Sequence, residues 1–472
     1  MTIPYSVEER YGKTLKKIGP SLLPPLGLAY IAAVLEKENH TVRILDTAIT
    51  DMSIVEVKDY LENNKFDAIG LTLMTPMYKN FKEILKVIKP FTGKTPLIAG
   101  GAHPSILPIE TLKENPGLDY TVFGEGETIF PDLIKAIKGE KQSSEINGIA
   151  YREGNSIKIT KPALHIDNID NLPMPARHLL DNKKYIPAPS TYRKLPMMHM
   201  ISSRGCPYNC IYCSSQSTFG KKYRHHSVKR ILEELELLIN KHGAKEVYFL
   251  DDLFTLNKEW VNELCNNIIQ RKISEKILWS CNTRTNLIDL PTLENMKKAG
   301  CWQIHFGIES GSQRLLDLIK KGTTLQQSRD AIKLCRKAGI QTRAYFMLGL
   351  PSETKEESLK TIEFAKEIDP DYAKFSLTTP YPGTELFDIV KKEGNLKSES
   401  WDLYKTMGGL GSNTERPYVP EGRTSKELNE LQKKAHKDFF LRPRIILRFI
   451  LNIKSIEELK IYAKSALALF SL

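Results

Sequence analysis

Three cysteines stand close together in the stretch SSRGCPYNCIYCSS: Cys206, Cys210 and Cys213, with the spacing CxxxCxxC. Thiolates so spaced grip metal, and the number three narrows the choice of metal. Structural zinc is tetrahedral and takes four protein ligands, usually as two separated pairs. No second pair exists here, because Cys265, Cys281, Cys301 and Cys335 are scattered singly, Cys265 and Cys335 within helical patterns. His225 and His226 could complete a zinc site, but they stand apart from the loop beside a basic KKYRHH run. A 4Fe–4S cluster fits better. Short spacings on one loop can place three thiolates on three irons, leaving the fourth iron open to a substrate or cofactor.

A loop of this kind must be held by a scaffold, and the flanking sequence supplies one. From Met198 to Gly394 a strand–helix unit repeats six times, with strands in MHMISSRG, KEVYFLDDLF, LWSCNTRTN, WQIHFGIES, IQTRAYFMLGLP and YAKFSLTTPYPGT. Three of the helices end in glycine, at Gly243, Gly300 and Gly339. The pattern predicts a partial (β/α)6 TIM barrel with function at the C-terminal ends of its strands. The cysteines follow the first of those strands. Residues 1–140 also alternate short apolar strands with helices, TVRILD and FDAIGLTLM among the strands, which predicts a doubly wound, Rossmann-like domain. Its strand-end loops TLMTPMYKN, GGAHPS and GEGE are rich in small residues, where a ligand is expected. No strand is evident in MTIPYSVEERYGK before the first helix. The first strand therefore reads as missing, or the chain as beginning downstream of its true start; the second is favoured, since removing a central strand bares two edges. Residues 141–197 read as a connector with a hairpin turning at Gly154-Asn155, and residues 395–472 as a helical C-terminal region.

Bulk properties exclude several classes. The chain has 472 residues, 41% hydrophobic and 26% charged, as expected of two or three globular domains. Its net charge of +12 is spread diffusely and reads as a solvated basic surface rather than a nucleic-acid footprint. Seven cysteines, none before Cys206, form no disulfide framework and suit a reducing cytoplasm. The apolar runs fall short of the roughly 20 residues a membrane span needs. The tail FFLRPRIILRFILNIKSIEELKIYAKSALALF interleaves apolar stretches with Arg442, Arg444, Arg448, Lys454, Lys460 and Lys464. It reads as helices packed on the barrel with snorkelling arginines, or as a basic amphipathic surface for peripheral membrane contact.

CxxxCxxC with an aromatic residue, Tyr212, before the last cysteine resembles the signature of the radical S-adenosylmethionine superfamily. The resemblance implies a 4Fe–4S cluster whose open iron chelates S-adenosylmethionine and, once reduced, releases a 5'-deoxyadenosyl radical. In FGIESGS it implies that Glu309 and Ser310 meet this cofactor, and in FMLGLPSET that Gly349 lies on its adenine side. DDLF stands where many members have a Gly-Gly-Glu segment; Asp251 or Asp252 would then receive the methionyl ammonium. PPLGLAYIAAVLEKENHTVRILD, IAGGAHPSILP and DYTVFGEGE resemble the cobalamin-binding domain fused ahead of many such enzymes. That family includes C-methyltransferases and the anaerobic magnesium-protoporphyrin monomethyl ester cyclase. The D-x-H-x-x-G motif of cobalt-ligating domains is absent, so Gly100, Gly101 and His103 are implied as corrin or nucleotide contacts and not as cobalt ligands.

The resemblance implies C-methylation of an unactivated carbon, with oxidative cyclisation of a porphyrin-like or isoprenoid substrate as the alternative. It also implies a small-molecule substrate, lipid or isoprenoid among the candidates, and an external low-potential electron donor of ferredoxin or flavodoxin type. Methylthiolation of tRNA is disfavoured, since enzymes of that kind carry three more cysteines in the first domain and this chain has none there. No residue stands out from sequence as a general acid or base.

Overall fold

The computed structural model describes residues 1–5, 9, 22–398, 400–404, 415–452 and 463. Lys454, Lys460 and Lys464 of the tail lie outside the described residues. The first domain runs α1 (Leu26–Lys37), α2 (Ile54–Glu62), β1 (Ile69–Thr72), α3 (Tyr78–Thr92), β2 (Leu97–Gly100), β3 (Tyr120–Val122) and α4 (Gly126–Ile137). Strands β1, β2 and β3 are parallel neighbours, as the alternating pattern predicts.

Two details depart from the sequence reading. The hairpin expected in the connector, β4 (Ile149–Glu153) and β5 (Ser156–Ile159), joins the first sheet instead, with Tyr151 opposite Tyr120 on β3. It turns at Gly154, where φ is +58°, and covers an edge of β3 that would otherwise be bare. The position of a first strand is not wholly empty either. Thr72 N–H donates to Met1 O at 3.0 Å and Thr2 N–H to Leu45 O at 3.1 Å. The first residues thus lie between β1 and the segment Thr41–Asp46, with Ile3 and Tyr5 buried. TVRILD, expected as a strand, forms no ladder in this sheet, whose order begins at β1.

The second domain is built on β6 (Met197–Met200), β9 (Glu246–Phe249), β10 (Leu278–Thr283), β11 (Cys301–Glu309), β12 (Gln341–Leu348) and β13 (Tyr372–Leu377). All five pairings are parallel, in the order β6-β9-β10-β11-β12-β13. The outermost strands β6 and β13 do not pair, so the barrel is open. A small antiparallel pair, β7 (Ser203–Arg204) with β8 (Arg224–His225), sits above β6. Helices α5 (Val228–His242), α6 (Lys258–Gln270), α7 (Leu290–Lys298), α8 (Leu325–Lys337), α9 (Lys355–Ile368) and α10 (Glu385–Lys392) wrap the outside. Ser227 caps α5 by accepting from Arg230 N–H, and Gly243 ends it in the left-handed conformation.

Through the middle of the sheet the strands alternate in chemistry. Val247, Phe249, Trp279, Cys281, Ile304, Phe306, Ala344 and Phe346 belong to one continuous apolar core with the helices. The intervening side chains are Tyr248, Asn282, His305, Arg343 and Tyr345. Because successive strand residues face opposite ways, the barrel interior is polar.

Helices α11 (Ser425–Phe440) and α12 (Pro443–Asn452) close the far side. Arg442, Arg444 and Arg448 converge on Asp369 at 2.9, 3.3 and 3.0 Å, which fixes α12 against the barrel. Arg442 and Arg448 are thereby held against the barrel, while Arg444 keeps most of its side chain in solvent. Among the described residues no helix is long and apolar enough to cross a membrane.

Candidate active site

The cysteine loop leaves β7 and is anchored at both ends. Gly205 has φ +86°, and a side chain there would run into the Lys222 carbonyl, so only glycine can precede Cys206. Cys206 N–H donates to Gly220 O at 3.2 Å, and Gln216 Nε2 donates to Cys206 O at 3.1 Å. Ile211 drives the loop inward. It is 2% exposed in a cluster with Leu315, Leu316, Leu350 and Leu386, and its backbone bonds Ile319 and Leu386.

Cys206 and Cys210 are half-buried and Cys213 is exposed, all three as free thiols. Although part of Cys213 reaches solvent, the packed loop around its sulfur desolvates the thiol and, with Asp252 and the other two cysteines, pushes it up to about 11. Burial chiefly raises Cys206 too, with Asp252 and Cys210 adding to it. The three sulfurs therefore share one electrostatic neighbourhood. Among the described residues no three His, Cys, Asp or Glu side chains are grouped to hold a single metal ion. Zinc draws all its donors onto one centre, whereas a cubane takes one thiolate per iron. His226, half of the zinc alternative, is buried and bonded through Nδ1 to Asp170 at 2.7 Å.

Behind the cysteines lies a buried triad. Glu309 Oε1 accepts from Tyr212 OH at 2.9 Å and from Lys321 Nζ at 2.8 Å, while Lys321 Nζ donates to Tyr212 OH at 3.0 Å. Glu309 sits at φ +70° just past a register shift between β11 and β12, which turns its carboxylate toward the loop. A methyl group on Gly307 would strike that carboxylate. Sequence reasoning did not find Lys321 or Arg284. Arg284, at the end of β10, brings Nη1 to 3.4 Å from Cys210 Sγ and lays its guanidinium 3.7 Å over the Tyr208 ring. A cation at this place offsets the negative charge of thiolates.

The remaining candidates divide. Asp251 is 2% exposed and accepts from Ser202 N–H at 3.1 Å, from Ser202 Oγ at 2.8 Å and from Ser203 Oγ. It ties β9 to the start of the cysteine loop. Asp252 is exposed, accepts from Ser215 Oγ and acts electrostatically on Cys206 and Cys213, so it is the aspartate that faces the open site. Ser310 is wholly buried and turned away, toward Thr361 Oγ1 at 3.2 Å. Gly349 faces Leu428 of α11, and a methyl group there would come within 3.2 Å of that side chain. His103 is buried with Nδ1 3.0 Å from Thr75 Oγ1 and its ring against Tyr78 and Trp401. Burial lowers its pKa to about 4.

Gly100 and Gly101, by contrast, line a cavity of about 910 Å³ with Gly124 and Gly126. At Gly101 a methyl group would come within 2.9 Å of Leu73 O; at Gly124 it would project into open space. The volume is within the range of cofactor pockets, and the backbone lining permits the close approach a large ring or its nucleotide tail requires. The same cavity is lined by Ile201, Arg204, Thr218 and Phe219, which bracket the cysteines.

Buried ion pairs fix this junction. Arg204 donates to Glu125 Oε1 at 2.8 Å and to Glu127 Oε1 at 2.6 Å, and Arg224 donates to Glu125 Oε2 at 2.7 Å. Against the upward push of burial, the hydrogen bonds from Arg224 and Arg204 hold Glu125 below the usual carboxylate range. The GEGE loop, expected only as a ligand loop, is also a clasp between the domains.

Comparison with known proteins agrees with both halves of this arrangement. Residues 200–365 match the family model of the radical SAM superfamily, and residues 19–134 that of the B12 binding domain. An uncharacterized methyltransferase of Pyrococcus horikoshii is 35% identical over 92% of this chain and 92% of its own. The anaerobic magnesium-protoporphyrin IX monomethyl ester cyclase of Cereibacter sphaeroides is 32% identical over 78% of this chain and 61% of its own length. Among solved structures, the radical S-adenosylmethionine methyltransferase TsrM of Kitasatospora setae, with cobalamin and a [4Fe-4S] cluster bound, aligns with a TM-score of 0.69. It is 19% identical and aligns over 90% of this chain and 87% of that one.

Proposed function

Since the chain belongs to the radical S-adenosylmethionine superfamily and, within it, to the enzymes that carry a B12 binding domain, we propose that it methylates an unactivated carbon of a small molecule. One observation carries the reading: residues that flank the cysteine loop on either side, Arg204 before it and Thr218 and Phe219 after it, form a wall of the glycine-lined cavity. When bound, the cluster with S-adenosylmethionine would supply a carbon radical able to take hydrogen from an unactivated carbon, and cobalamin would supply a methyl group.

The chain's own residues then have separable tasks. Cys206, Cys210 and Cys213 hold the cluster, with Arg284 offsetting its charge beside Cys210. The Tyr212–Glu309–Lys321 triad stiffens the loop from below. Asp252 accepts the cofactor's ammonium in a charge-assisted hydrogen bond. Arg204 and Arg224, clasped on Glu125 and Glu127, hold the two domains so that cobalamin and cluster face a common space. Electrons enter from an external low-potential donor on the side where Cys213 is exposed.

The test is anaerobic reconstitution with iron, sulfide and hydroxocobalamin, then mass spectrometry of products from methyl-deuterated S-adenosylmethionine and cell extract. A product carrying the deuterated methyl group supports methylation. Deoxyadenosine formed without retained cobalamin and without a methylated product would sink it, and a cyclised product with no added methyl group would favour the cyclase alternative.

The two adjacent aspartates give a second expectation. Asp252→Asn should raise KM for S-adenosylmethionine about tenfold, the loss of ~1.4 kcal/mol expected for a charge-assisted bond made neutral, with unchanged urea unfolding. Asp251→Asn should do the reverse. It places an amide among hydroxyl and N–H donors, and costs about 2 kcal/mol of stability by urea denaturation.

A further inference from the structure

Arg343 lies on β12, opposite His305 of β11 and Tyr372 of β13, and is 7% exposed. Its guanidinium rests 4.8 Å over the Tyr372 ring and donates through Nη2 to the Ser190 backbone carbonyl. Its Nε is buried without a hydrogen-bond partner. Among the described residues no carboxylate pairs with it, whereas the buried Arg177, Arg204 and Arg224 each face a glutamate. A buried cation without a counter-charge is costly unless something anionic joins it.

Its neighbours do not supply that charge. His305 Nε2 donates to Gln303 Oε1 at 2.8 Å, because an amide oxygen can only accept. Burial and the charge of Arg343 hold His305 well below its usual pKa, so the ring is neutral and Nδ1 accepts from Tyr345 OH at 3.2 Å. Tyr248 OH has one proton and gives it to Asn282 Oδ1 at 2.5 Å. Tyr248, Asn282 and Tyr345 retain partial exposure, so this polar chamber is open to solvent. His199, fully buried with its ring 5.9 Å from that of Tyr248, has both nitrogens unbonded.

From these groups we propose that the base of the barrel is an anion subsite, in which Arg343 receives a carboxylate or phosphoryl group of the substrate. This rests on the function proposed above and extends it: the substrate reaches from the cysteine end into the barrel. Arg343 is level with His305, four residues below Glu309, and four residues of strand rise about 13 Å. The substrate is then an elongated anion, with its reacting carbon near the cysteine end and its charge on the order of 10 Å away.

The test is binding by the full chain, prepared anaerobically, of 4-phenylbutyl phosphate, 5-phenylvalerate and 5-phenylvaleramide, read by equilibrium dialysis and by the thermal-unfolding midpoint. At least one anion should bind ten or more times tighter than the neutral amide. Preference for the phosphate or the carboxylate identifies which group the site takes. Arg343→Gln should abolish the preference over the amide, and Arg343→Lys, which keeps the charge, should retain part of it. Amide bound as well as either anion, no probe bound, or an undiminished preference in folded Arg343→Gln each overturns the proposal. Deoxyadenosine formation plays no part in these readings, so failure of the anion site and failure of the radical-enzyme reading are separate results.

Discussion

Cys210→Ser should emerge from anaerobic reconstitution without a cluster, its iron content near background and its deoxyadenosine formation down by more than about a hundredfold. Loss of an outer-shell partner of a metal site typically costs ten- to a hundredfold, and a direct ligand matters more. The alcohol of serine is a hard, protonated donor in place of a soft thiolate. Cys206 and Cys213 alone can hold two irons of a cubane, and no other cysteine is at hand. Cys265, Cys281, Cys301 and Cys335 are all buried in the apolar core of the barrel. Cys206→Ser and Cys213→Ser should behave alike, whereas Cys265→Ala should keep the cluster and lose only a little core packing. Iron analysis, visible absorption and deoxyadenosine chromatography together check the result. A full cluster in any of the three loop variants would refute the ligand assignment.

Arg204→Met should separate two activities that the wild-type chain couples. Removing the guanidinium strands Glu125 and Glu127 in a buried place; breaking one side of a buried ion pair typically costs about 3–5 kcal/mol. The urea midpoint should fall accordingly. Arg204 also lines the glycine-rich cavity, so cobalamin should be retained less well and the ratio of methylated product to deoxyadenosine should drop. The cysteines themselves are untouched, and S-adenosylmethionine cleavage should persist in the folded fraction. By contrast, the exposed pair of Lys222 and Asp167 is bathed in solvent, and Lys222→Ala should leave both quantities unmoved. An unchanged midpoint and product ratio in Arg204→Met would show that the clasp holds nothing together.

Much of this architecture was legible in the sequence, for physical reasons. Three thiols on one loop carry their own chemistry, and six apolar strands followed by glycine-terminated helices need no tertiary information. What escaped depended on contacts distant in sequence. Asp251 and Asp252 are adjacent and chemically identical; only the end of β9 decides that one turns to Ser202 and the other to the cysteines. Ser310 and Gly349 follow strands as expected but face α9 and α11, a matter of backbone direction after the strand. Arg284 reaches Cys210 across 74 residues. The hairpin was visible as a hairpin, yet its sheet was not, because the exposed edge of β3 exists only once the first domain has formed. The polar interior did leave a signal. In EVYF, CWQIHF and TRAYFM the intervening polar residues recur with period two, and in strands wrapped by helices that alternation marks a chamber.

The clasp also bears on how interchangeable the two domains are. The frame of the cysteine loop, β7 and β8, is two residues long on each strand, too short to stand by itself. Its arginines find their acidic partner in the other domain. A chimaera that takes its first domain from a relative must therefore bring acidic groups at both Glu125 and Glu127, or the cysteine loop loses its support although not one of its own residues has changed. The two cofactor modules are thus inherited as a pair, and the charges at their seam are what a grafted domain has to match.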